Sequence, residues 1–298
     1  MSSKGRIRWD SAIRSRISSP CTLALLGLGF IGIPNAQADV TVGSPLTAPY
    51  FDTVLCGGLP PPCTLANTTL GGPGARVASP VSGVVARWRI SGNYSGTFIL
   101  RVLRPAGGDH YTGASSSSPV TITGTSTVTL NTNLPIQAGD LVGIDILSGH
   151  IADGIVAGST VVEWDPALAD ASPAAPSPRL SDKDLLLNAD VVPANTITVG
   201  AITHNKKKGT ATIAFDAIPN PGELTGSGNG VKASSAGTAA ISKSVGAGMA
   251  QLLIKAKGKK KRKLNQDGKV KLTVGITYTP TGGDPATQSV KVRLRKKL

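Results

Sequence analysis

Between residues 269 and 278 apolar and polar side chains take turns: Val270, Leu272, Val274, Ile276 and Tyr278 against Lys269, Lys271, Thr273 and Thr277. A period of two sends the first set to one face of a strand and the second to the other. Only a half-buried β-strand satisfies that pattern over such a length. Val290, Val292 and Leu294 repeat it against Lys291, Arg293 and Arg295, and residues 280–285, rich in Pro and Gly, read as the hairpin loop between the two. Leu252, Ile254 and Ala256 share a face in the same way. Segments 196–203 and 209–216 flank a charged turn at Asn205, Lys206, Lys207 and Lys208. Lys259, Lys260, Lys261, Arg262 and Lys263 are expected in a further turn, and residues 264–268 read as the corner before the long strand. About seven short strands over residues 193–298 fit an Ig-like sandwich.

The preceding stretch shows the same grammar. Val84, Ala86, Trp88 and Ile90 are expected to share one face, with Arg87 and Arg89 on the other. Residues 97–103 form a second strand, reached through a turn at 91–96; 120–123, 127–130 and 134–146 follow, with Gly139 and Asp140 at a corner. Residues 165–180, rich in Pro, Ala and Ser, read as a loop, and 184–192 as a closing strand. Strands at this spacing suggest a β-sandwich of jelly-roll type. The expected fold class is therefore all-β: an N-terminal jelly-roll-like sandwich over residues 39–192 and a C-terminal Ig-like sandwich over 193–298.

Charge divides at the same place. Residues 39–192 hold seven Lys/Arg and twelve Asp/Glu, a net of −5; residues 193–298 hold nineteen and four, a net of +15. The two halves offer opposite fields to any partner.

Residues 1–38 read as a secretory signal peptide: five cationic residues, an uncharged apolar run from Cys21 to Ile33, Pro34, then Ala36-Gln37-Ala38 before the cleavage point. The run is too short for a transmembrane helix, which needs roughly 20 residues. Export places the protein outside the cell, secreted or held at the cell surface. Cys56 and Cys63 then form an even pair in an oxidising compartment and are expected to make a disulfide.

On Arg87, Trp88, Arg89, the 100–105 and 134–145 segments and Leu187 to Asp190, the first half resembles a domain of secreted actinobacterial proteins that carry no assigned activity. The second half resembles the basic C-terminal β-domain common in such proteins. The calcium-type repeat that often follows the closing strand in similar proteins is absent here, so no calcium site is carried over.

The sequence holds no GxSxG, HExxH or P-loop pattern, and no catalytic residue, metal ligand or cofactor is assigned. Asp109 and His110 read as a loop tip; Asp140, Asp145, Asp153, Glu163 and Asp165 include no pair singled out by spacing. The expectation is a non-enzymatic binding or structural protein whose basic half associates with anionic envelope polymers through Lys206–Lys208, Lys259–Lys263, Lys291, Arg293 and Arg295. The alternatives are a carbohydrate-binding module with Tyr94, Tyr111 and Trp164 as its ring platform, and a secreted hydrolase. Nucleic acid is not an expected partner: the basic half has only Phe215 and Tyr278 as aromatics and shows no stacking platform or recognition helix.

Overall fold

The structure, a computed structural model, describes residues 39–54, 61–176, 179–235 and 248–298. Residues 1–38, expected to be a signal peptide, and Cys56 lie outside the described residues; Cys63 is fully buried at the start of its strand. The described chain is all-β with one short helix. Eleven strands come first: β1 (Val40–Gly43), β2 (Tyr50–Val54), β3 (Cys63–Thr69), β4 (Gly83–Ile90), β5 (Tyr94–Gly107), β6 (His110–Ser116), β7 (Val120–Gly124), β8 (Val128–Ile136), β9 (Leu141–Trp164), β10 (Arg179–Leu185) and β11 (Leu187–Pro193). Then follow β12 (Val199–Asn205), β13 (Thr210–Ile218), β14 (Gly222–Ser227), β15 (Val231–Ser235), β16 (Gly248–Ala256), α1 (Gly258–Asp267), β17 (Lys269–Pro280) and β18 (Ala286–Arg295). Among the described residues no helix is long and apolar enough to cross a membrane.

The strands make four sheets in two pairs. In the first pair, the order β1-β11-β4-β8 faces a larger sheet built around β10-β9-β5-β6. Between them lies a core of Val42, Val85, Trp88, Ile90, Phe98, Leu100, Val102, Ile144, Ile146 and Val191. In the second pair, β12-β13-β16-β15 faces β14-β17-β18 over Ile213, Phe215, Leu252, Ile254, Leu272, Val274, Ile276 and Leu294. Each pair is a sandwich whose inner faces come from the alternating apolar positions.

Four local expectations are corrected. In β4 the residue turned inward is Val85, beside Trp88 and Ile90, while Val84 and Ala86 are only half-buried. The register slips between Val85 and Arg87 against β8, and between Asp190 and Val191 against β11. A bulge sets two residues against one and exchanges the faces upstream of it. Residues 94–96 are strand rather than turn: Gly96 (φ +142°) lies so close to β9 that a Cβ there would sit 1.9 Å from the Ser148 carbonyl oxygen. The closing strand is two strands, β10 in one sheet and β11 in the other, with buried Leu186 at the crossing. Residues 259–263 form most of α1 instead of a turn. Lys, Arg, Leu and Gln are good helix formers, Leu264 seats the helix on the core, and Gly268 closes it in the left-handed conformation (φ 64°).

One residue ties the two sandwiches together. Asn220, buried after β13, accepts the Ser82 amide through Oδ1 at 2.6 Å and donates through Nδ2 to the Ser82 and Ala194 carbonyls, both at 2.8 Å. Its own carbonyl accepts the hydroxyl of Tyr278, a phenol that burial pushes up to about 12. Asn220→Ala leaves the Ser82 amide and the Ala194 carbonyl without these partners at a half-buried junction and removes one of the two donors to the Ser82 carbonyl, which keeps the Ala194 amide. It is expected to lower the unfolding free energy by about 2 kcal/mol, at roughly 1 kcal/mol per well-made bond less relaxation; urea unfolding monitored by tryptophan fluorescence reads it.

Candidate functional site

The hairpin of β17 and β18 carries five cations on its outer face. Its inner positions, Val270, Leu272, Val274, Ile276, Tyr278, Val292 and Leu294, are buried, as the alternation requires. The outer positions pair in register: Lys269 opposite Arg295, Lys271 opposite Arg293, and Thr273 opposite Lys291, all exposed. Directly opposite residues in an antiparallel pair have Cα atoms roughly 4.5–5.5 Å apart. Two rows therefore set cation against cation, an arrangement that destabilises a sheet. Among the described residues no carboxylate pairs with any of these five side chains; the ion pair of this region joins Lys263 to Asp267 at 2.5 Å on α1.

The basic turn at Lys206–Lys208 is drawn toward the same hairpin. Lys208 donates its amide to Asn205 Oδ1 and shapes the β12–β13 turn. Lys297 donates its amide to the Lys206 carbonyl at 2.9 Å, and Lys296 donates to the Gly268 carbonyl at 2.7 Å. Gly209 lies under Leu264 and Lys296, where a Cβ would meet them at 3.0 and 3.3 Å. The turn bearing Lys206–Lys208, the C-terminal end of α1 and the chain end thus meet beside Arg295. Lys259, Lys260 and Lys261 lie toward the opposite end of α1, about 10 Å of helix from Asp267. No acidic residue balances that first turn, although the helix dipole favours anions there.

Of the three rings named for the carbohydrate-binding alternative, Tyr94 and Trp164 are buried and Tyr111 is half-buried. Tyr94 is in the first core, 3% exposed, and burial raises its phenol above the usual value. Trp164 is also 3% exposed: its Nε1 donates to the Ala174 carbonyl at 3.1 Å, and Tyr111 meets it edge-on with ring centroids 5.7 Å apart. Tyr111 and Ala174 exchange both backbone hydrogen bonds at 3.0 Å. These rings fasten the Pro/Ala/Ser-rich segment to the sheet, so neither Tyr94 nor Trp164 offers a free face to a sugar.

The acids serve as clamps. Asp140 accepts Arg104 Nε and Nη2 at 2.9 and 2.8 Å, and the Gln137 amide at 2.8 Å. Asp145 accepts Thr64 Oγ1 at 2.6 Å and Arg101 Nη1 at 3.2 Å; burial nevertheless raises its carboxyl, outweighing both partners. Asp153 pairs with Lys183 at 3.0 Å, and Glu163 is buried. Asp165, by contrast, is exposed. Burial alone would raise Asp190, but hydrogen bonds from Arg89 and the charges of Arg89 and Arg87 hold it below the usual carboxylate range. His110 lies half-exposed at the β5–β6 tip, 3.2 Å from Asp109.

A groove of about 610 Å³ runs along β8 opposite the β6–β7 connection. It is lined by the polar Ser116–Ser118, Asn131, Thr132 and Asn133 and by the apolar Trp88, Pro119, Val120, Leu130 and Leu134. No family model and no curated protein matches the chain, so the site stands on its own geometry.

Proposed function

We propose that the protein is an exported, non-enzymatic binding protein that attaches to anionic polymers of the cell envelope. In this reading the second sandwich, Ig-like over residues 193–298, is the attachment domain, and the first, jelly-roll-like over residues 39–192, presents the outward surface. The observation that carries it is the register of Lys269 with Arg295 and Lys271 with Arg293. A face needed only for solubility gains nothing by opposing like charges, whereas an anion laid across them turns the repulsion into attraction.

The test is retention of the full exported chain on an immobilised anionic polymer across a salt series. With five cations engaged at a slope of about −0.7 each, affinity is expected to fall roughly 100-fold between 50 and 200 mM salt. Binding that persists unchanged in 1 M salt overturns the proposal. The β8 groove supports a second reading, a neutral glycan held by hydroxyl and amide side chains; salt-insensitive binding to an uncharged glycan, lost with Asn131→Ala and Asn133→Ala, would favour it.

A further inference from the structure

We propose that the partner is a linear, base-free polyol phosphate lying along the β17–β18 hairpin, with its phosphodiesters matched to the strand repeat. This rests on the attachment reading above and names its ligand. Outward side chains on one strand recur every second residue, roughly 6.5–7 Å apart. Lys291, Arg293 and Arg295 mark that interval on β18, Lys269 and Lys271 mark it on β17, and exposed Lys297 continues the row beyond the strand. The two rows run side by side, so each step along the hairpin offers a pair of cations, or at Thr273–Lys291 a cation and a hydroxyl. An anion between the members of a pair is reached from both sides, and each guanidinium can grip two phosphate oxygens.

The rest of the face says what lies between the charges. Past Thr273 the outer positions become Gly275 opposite Ser289 and Thr277 opposite Thr287, the threonine hydroxyls 2.8 Å apart. On β14 Thr225 and Ser227 extend those rows. This is a cationic ladder that grades into a hydroxyl sheet, and no aromatic ring stands on it. A nucleic acid strand has phosphates at a comparable interval but needs ring faces for its bases. A polyol chain presents hydroxyls, which hydroxyls can meet.

The experiment measures the full exported chain against four probes at equal ionic strength: polyglycerol phosphate, inorganic polyphosphate, hyaluronate and single-stranded DNA. Polyphosphate sets its anions much closer than the ladder, and hyaluronate, with a carboxylate on every second sugar, sets them further apart. Polyglycerol phosphate is expected to bind at least tenfold more tightly than any of the others. A transposed variant, Lys271→Thr and Arg293→Thr with Thr225→Lys and Thr287→Arg, keeps the net charge; it is expected to lose that preference while still binding anions weakly. Circular dichroism confirms that it folds. Equal affinity for all four probes, or a preference that survives transposition, overturns the matched-ladder proposal and leaves general anion attachment standing. Tighter binding of DNA overturns the base-free assignment. Failure to bind any of the polyanions at low salt removes the attachment reading itself.

Discussion

Arg101→Met is expected to lower the unfolding free energy by about 3–5 kcal/mol at neutral pH, the usual cost of removing one partner from a buried ion pair. Arg101 is 7% exposed and reaches three acceptors: Asp145 at 3.2 Å, Asp170 at 2.7 Å and the Leu168 carbonyl at 2.9 Å. Methionine fills much of the stem's volume and supplies none of the donors. Asp145 then keeps only Thr64 as a donor in a site that already raises its carboxyl through burial. The sign of the pH dependence follows. A carboxyl raised in the folded state binds more protons there than in the unfolded chain, so stability falls as pH rises through its folded value. The deficit of the variant should therefore be largest at neutral pH and shrink toward acid. Urea midpoints at a series of pH values measure this; a deficit independent of pH would mean that the loss is one of packing alone. A second variant, Arg101→Met with Asp145→Asn, is expected to recover part of the stability, because the stranded charge is gone.

Replacing Lys269, Lys271, Lys291, Arg293 and Arg295 together by Gln is expected to act in opposite directions on stability and on binding. Two like-charged cross-strand pairs disappear, and at about 0.2–1 kcal/mol each, with diagonal neighbours added, the fold gains roughly 1–2 kcal/mol. The melting temperature should rise accordingly by several degrees. Retention on an anionic polymer at 50 mM salt should fall by two orders of magnitude or more. The bland account, in which the charges protect the β18 edge from pairing with other chains, makes a different forecast: polymer retention stays the same and the variant self-associates. Calorimetry, polymer retention and light scattering on one preparation separate the two.

Where one face of a strand is solvated the sequence was easy to read. The alternation through β17 and β18 marks the buried residues Val270 to Tyr278, Val292 and Leu294, because lysine on the outer face makes the period plain; Val290 is only half-buried, and Pro280, expected in the loop, is buried at the end of β17. The burial of β3 on both sides is why it went unseen: residues 63–67 are all buried, and such a strand shows no alternation. The bulge in β4 and the change of sheet at Leu186 depend on neighbours far along the chain, so local periodicity carries no trace of them. Helix α1 buries only Leu264, which leaves no apolar stripe to recognise. The candidate site was half legible. Each basic cluster was visible, but the opposition of Lys269 to Arg295 is a matter of hairpin register, and the meeting of the Lys206 turn with the chain end arises only in the fold. Tyr94 and Trp164 misled because residues far from them in sequence decide whether a ring is covered.

Asn220 has a mechanical consequence. Were the two sandwiches joined only by the chain at Pro193, a pull between them would swing them about a single peptide hinge. Instead the Asn220 side chain grips Ser82 and Ala194 on either side of that hinge, and its carbonyl holds Tyr278 in the long strand of the second core. A load applied to one sandwich is thereby passed as shear into the sheets of the other, shared among several hydrogen bonds that must break together.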